Sequence, residues 1–126
     1  MRKLIAFAFT LPIYVVLADR LMVPEYVSCN RNQLTSWTGP ITAYNHSLGT
    51  TQFTVITDDG TLERLSLEYE KESELMDQYF LNGKSFVESD WQHIESAEQQ
   101  LLSGIRATVW LCLDEAVHPV VNWQAK

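Results

Sequence analysis

Apolar and polar positions divide this chain into an unbroken apolar opening and a body of short alternating segments. From Leu4 to Ala18 no charge interrupts the run; Met1-Arg2-Lys3 precede it and Asp19-Arg20 end it. A positive start, an apolar run and a small-residue exit form the grammar of an export signal, with Val16-Leu17-Ala18 as the cleavage site and Asp19 as the new N-terminus. Residues 1–23 read alternatively as an uncleaved anchor. A helix over 4–18 is about 22 Å long at about 1.5 Å per residue, short of a hydrocarbon core about 30 Å thick. An anchor therefore needs Leu21-Met22-Val23 as well. Either way Arg2 and Lys3 stay cytoplasmic and the remainder lies outside, periplasmic or secreted if cut and membrane-anchored if not. A core helix is disfavoured because the run has no polar face at helical spacing. A lipid-attachment box before Cys29 fits poorly, since Pro24, Glu25 and a tyrosine at position 26 intervene.

Residues 24–38 read as a stalk, in which Pro24, Asn30, Asn32 and Ser36 break any periodicity. Residues 39–126 read as one extracytoplasmic domain. Gly39-Pro40 marks a turn, 41–46 a short strand, and Ser47-Leu48-Gly49 the next turn. Residues 51–57 are the clearest strand, with Phe53 and Val55 on one face and Thr54 and Ile56 on the other. Asp58-Asp59-Gly60 is a hairpin signal, because glycine supplies the positive φ of a tight turn. The chain returns over 61–69 with Leu65, Leu67 and Tyr69 on one face and Arg64, Ser66 and Glu68 on the other.

The period then changes. Leu75, Met76, Tyr79 and Phe80 predict a helix over 70–82, stopped by Gly83. Ser89-Asp90-Trp91-Gln92 resembles a capping box opening a second helix that ends at Ser103-Gly104. Residues 105–113 lack a clean polar face and predict a central strand; 114–119 are a loop and 120–123 a last strand. The expected class is α+β or mainly β. Three strands, a helical connection and two strands match a small five-stranded OB-like barrel; the alternative is an antiparallel sheet with a helical connection. Either is preceded by the N-terminal hydrophobic helix.

Length and charge narrow the function. The chain has 126 residues and a formal charge of −7, which becomes −9 once Arg2 and Lys3 are removed with a signal. Such a surface repels phosphate backbones, so no nucleic-acid partner is expected, and a basic protein partner is the easier fit. Cys29 and Cys112 form an even pair beyond the apolar segment and predict one disulfide in an oxidising compartment.

No Gly-x-Ser-x-Gly elbow, His-Glu-x-x-His pair or phosphate-binding glycine loop occurs. His93-Ile94-Glu95 matches one fragment of a zinc-deaminase signature, but its Pro-Cys-x-x-Cys partner is absent, and His93 reads as part of a solvated helix face. His46 and His118 fall in turns, where histidines are usually exposed. Asn45-His46-Ser47 is a glycosylation sequon. No catalytic residue, metal or cofactor is therefore expected. The candidate binding residues are the aromatics Trp37, Tyr44 and Trp123, as a stacking platform, and Glu70, Glu72 and Glu74 within an acidic run over 63–77. These observations lead to a non-catalytic extracytoplasmic interaction module: an inhibitor, an immunity factor or a subunit of an envelope complex. A small-ligand or carbohydrate binder on an OB-like face is the alternative, and oligomeric state is left open.

Overall fold

The computed structural model describes residues 23–125. The export-signal, anchor and N-terminal-helix readings fall outside them. Among the described residues no helix is long and apolar enough to cross a membrane.

The protein is mainly β. Strands β1 (Leu34–Ser47), β2 (Thr50–Ile56), β3 (Leu62–Glu68), β4 (Tyr79–Leu81), β5 (Lys84–Ser85), β6 (Arg106–Cys112) and β7 (Val120–Gln124) form one mixed sheet. Their order is β3-β2-β1-β6-β7-β4-β5. Two short helices, α1 (Glu72–Asp77) and α2 (Trp91–Ile94), lie in the connection between β3 and β6. The expected barrel does not close. The outer edge of β7 is taken instead by β4, which pairs with it in parallel from Tyr79↔Val121 to Leu81↔Trp123, so the sheet is not purely antiparallel either.

β1 is the spine. Its first half, from Leu34 to Pro40, pairs with β6, and its second half, from Ile41 to Ser47, pairs with β2. The change of partner occurs where the sequence suggested a turn at Gly39-Pro40. The chain does not turn there, because Gly39 lets two backbones meet inside one strand. A Cβ on Gly39 would stand 2.0 Å from Ile56 O. Just before it, Thr38 O accepts a hydrogen bond from Asp58 N at 2.9 Å. The stalk reading also ends early, since Leu34 to Thr38 belong to the sheet.

The predicted disulfide is present. Cys29 and Cys112 are joined with Cα atoms 5.9 Å apart and 83 residues of sequence separation. It fastens the lead-in to β6, which lies between β1 and β7 as its two-sided apolar pattern predicted. Closing a loop of this length is worth roughly 4 kcal/mol in the chain-entropy account.

The two predicted helices are much shorter than expected. Only Glu72–Asp77 of the first is helical. Tyr79 and Phe80 belong to β4, and Asn82 and Gly83, at φ of 50° and 85°, turn the chain into β5. Asn-Gly with two positive φ values is a hairpin signal, and it outweighs the helical spacing. The second helix keeps four residues. Its capping contact lies earlier than predicted: Asp90 Oδ2 accepts from Val87 N at 2.9 Å. Beyond Ile94 the backbone extends at Glu95, at φ −126° and ψ 150°. Ser96 Oγ then accepts from Glu98 N and Gln100 N, closing a turn where the helix was expected to continue.

The core collects the inward faces of these strands. Val55, Ala107, Val109, Val121 and Trp123 are fully buried. Trp123 meets Tyr44, Phe53 and Tyr79 edge-on or tilted, and Tyr79 meets Phe86 and Trp91. The alternation in β2 and β3 holds: Phe53, Val55, Leu65 and Leu67 are buried, while Gln52, Ile56, Arg64 and Ser66 are exposed.

The spine makes a direct prediction. Gly39→Ala forces a methyl group onto the Ile56 carbonyl, and overpacking against backbone should lower stability by roughly 2–3 kcal/mol in urea unfolding. A loss below about 0.5 kcal/mol, the range of an ordinary surface change, would show that β1 and β2 do not approach as described.

Candidate functional site

The centre of the molecule is a buried group of polar side chains that begins with an irregularity in β1. Between Thr42 and Asn45 the register with β2 shifts. Two residues, Ala43 and Tyr44, stand opposite Phe53 alone, and Ala43 takes a left-handed φ of 53°. This is a β-bulge, and it changes which face each later residue occupies. Ile41 faces inward opposite Val55 before it; Tyr44 and His46 face inward after it. His46 lies opposite the buried Thr51.

His46 is enclosed. Its side chain is 3% exposed, and Trp91 stacks on the ring with centroids 4.9 Å apart. Each ring nitrogen faces a carboxylate: Nδ1 lies 2.7 Å from Glu95 Oε2, and Nε2 contacts Glu72 Oε1. The same Glu95 oxygen accepts a hydrogen bond from the Tyr44 hydroxyl. Burial above all, then Tyr79 and the bond to Glu95, push the Tyr44 hydroxyl far above the ordinary tyrosine range, so it remains a donor. Burial does the same to Tyr79. Beside the cluster, Thr51 Oγ1 and Tyr69 Oη are 2.8 Å apart, and Tyr69 Oη donates to Ser47 O.

This geometry explains why α2 stops at Ile94: an extended Glu95 carries its carboxylate to β1. It also limits the chemistry. The Glu95 side chain is 5% exposed, so the His46–Glu95 pair is shielded from solvent. The cluster can hold charge and join elements. Glu72, at 41% exposure, connects it to the surface.

Outside Glu72 the surface is acidic. A cavity of about 420 Å³ lies where the end of β3 faces α1 and the start of β7, lined by Glu68, Tyr69, Glu74, Asp77, Gln78 and His118 among others. A shallower depression of about 630 Å³ adjoins it, sharing Glu68, Tyr69 and Glu74 and adding Glu70. Together they form a trench along β3 and α1. Glu74 also organises its own helix: Oε1 accepts from Glu70 N at 2.9 Å and Lys71 N at 3.3 Å. These bonds, that from Glu70 first, hold the Glu74 carboxyl below the ordinary glutamate value.

The candidate residues from sequence are thus sorted apart. Glu70 and Glu74 line the trench, and Glu72 turns to His46. Trp123 is fully buried, Tyr44 serves the core and Glu95, and Trp37 packs against the core from β1 opposite Val109. The structure does not bring these three aromatics to a common exposed face. His46 is buried and not an exposed turn histidine, His93 is exposed as read, and Glu95, which the sequence did not single out, is buried. One signal pointed to His46. Pairing across Leu48-Gly49 places it opposite Thr51, which shares the inward face of Phe53 and Val55. Nothing local marks Glu95.

No protein-family model, curated protein or solved structure matches this chain.

The Glu74 contacts predict an acid-side effect. A carboxyl held below its unfolded value contributes stability that is present above the ordinary glutamate range and lost as pH falls through the folded value. Glu74→Gln, which removes only the charge, should therefore lower the melting temperature at neutral pH. The gap to wild type should narrow as pH falls through and below the ordinary glutamate range. A gap that stays constant across that range would contradict the assigned role of the charge.

Proposed function

We propose that this protein is a non-catalytic, extracytoplasmic interaction module whose acidic trench receives a basic segment of a protein partner. The observation that carries the reading is the trench itself: Glu68, Glu70, Glu74 and Asp77 converge on two adjoining depressions, with His118 as their only basic-type lining residue. Lys71 lies in the same segment but outside the lining. Like charges held together on one face raise the local negative potential and draw in cationic groups. The Tyr69 ring between the acids adds a flat apolar surface for a lysine or arginine stem.

Compartment supports the reading. The Cys29–Cys112 disulfide is compatible with an oxidising, extracytoplasmic location, and the residues before the domain carry the pattern of an export signal or anchor. We also read the fold as an opened relative of the OB barrel. The neighbours β3-β2-β1-β6-β7 and the helical crossover agree with that topology, and the trench lies between the end of β3 and the start of β7. An inhibitor, an immunity factor or an envelope-complex subunit would each use such a face.

The test is binding of an oligolysine peptide by calorimetry at low and high salt. Glu70→Gln/Asp77→Asn should weaken binding about tenfold and flatten its salt dependence, since two facing charges are removed. Glu98→Gln, on the exposed turn after α2, should have little effect. Equal losses from both would reduce the attraction to net charge and overturn the trench as a site.

A further inference from the structure

The trench and the buried cluster share one residue. Glu72 opens α1, the helix that carries Glu74 and Asp77, and it contacts His46 Nε2. Glu95 holds the other ring nitrogen from behind. The remaining groups around the ring are Tyr44 from β1, Tyr69 after β3, Tyr79 from β4 and the Trp91 ring from α2. Among the described residues no lysine or arginine pairs with either carboxylate, and His46 is the one basic-type side chain in contact with both.

A neutral imidazole has one N–H donor and one acceptor nitrogen. It cannot donate to two carboxylates, and its bare nitrogen would face an anion. With both carboxylates ionised, only the doubly protonated ring satisfies both contacts, so losing one proton must break one of them. Exposure decides which. Glu95 is 5% exposed and also holds Tyr44, so leaving His46 would strand a buried carboxylate. Glu72 is 41% exposed and can turn to water at little cost.

We propose that His46 is a proton-dependent clasp on the acidic trench: doubly protonated, it holds Glu72 and so fixes α1 against the sheet; on losing a proton it keeps Glu95 and releases Glu72. The partner affinity of the trench is thereby tied to the protonation of His46, with the binding acids on α1 best ordered while the ring is charged and the carboxylates are ionised. This rests on the reading of the trench as the binding face, but the clasp itself is measurable without any ligand.

The experiment uses the full chain. The His46 ring state is followed by nitrogen NMR between about pH 5 and about pH 9, on either side of the ordinary histidine range. Hydrogen-exchange protection of α1 amides, corrected for intrinsic exchange, is measured over the same range. The wild type should lose protection about tenfold in α1 as the ring becomes neutral, the scale of one lost charge-assisted hydrogen bond. Glu72→Ala should show the loose value throughout. Glu72→Gln should stay protected throughout, because its amide can accept from the charged ring or donate to the neutral one. Ring deprotonation with unchanged α1 protection overturns the clasp, as does a ring that keeps one state across the range. Failure of oligolysine to bind while α1 responds as described would reject the trench as a binding face and leave the clasp in place.

Discussion

The structure depends on one buried histidine held between two acids from different parts of the chain. His46 sits on β1, Glu72 at the start of α1 and Glu95 at the end of α2. Together they draw both pieces of the β3–β6 connection onto the sheet. A buried ion pair is weak evidence for stability by itself, because desolvation offsets much of the Coulomb gain. Its effect here is positional. With the Tyr44 hydroxyl on Glu95 and the Trp91 ring on His46, the cluster fixes where the crossing begins and ends. Removing His46 would strand the Glu95 carboxylate in the interior, a change that usually costs several kcal/mol, whereas Glu72 is exposed enough to turn to water.

Around that centre β1 supplies the frame. It serves two partners in succession, changes from one to the other where Gly39 meets the end of β2, and changes face at the Ala43 bulge. Each departure from a regular strand has a consequence for the site. The close approach at Gly39 lets β2 and β6 share one spine, and the bulge turns Tyr44 and His46 inward together. The disulfide then pins the lead-in beside the first half of the same strand. The acidic face follows from this arrangement, because β3 ends and α1 starts on the one side of the cluster that Glu72 leaves open to solvent.

Much of the sheet was legible in the sequence because its signals are local. Alternation in β2 and β3, the Asp59-Gly60 turn and the two-sided pattern of β6 need only neighbouring residues to be read. The cysteine pair was legible by count and compartment. The helices were misread for a physical reason. Leu75, Met76, Tyr79 and Phe80 fit a helical stripe, but Asn82-Gly83 demands a hairpin, and Tyr79 to Leu81 gain a ladder against β7 that a helix would forgo. The central cluster was the least legible part. Period-2 counting through Ala43 puts Ile41 and His46 on opposite faces, and only the bulge reconciles them. Glu95 is called inward by a residue 49 positions away, a contact that no local pattern announces. The acidic run over 63–77 was visible; that Glu72 leaves it to pair with a histidine was not.

The most direct test of the central claim is a double-mutant cycle between His46 and Glu95, using His46→Gln, Glu95→Gln and the double variant in urea unfolding. If the pair organises the interior as described, the two losses will be strongly non-additive, with a coupling of at least about 1.5 kcal/mol, because the second substitution removes a group the first had already stranded. Losses that add within about 0.5 kcal/mol, as for independent sites, would contradict the account and reduce the cluster to two unrelated buried side chains.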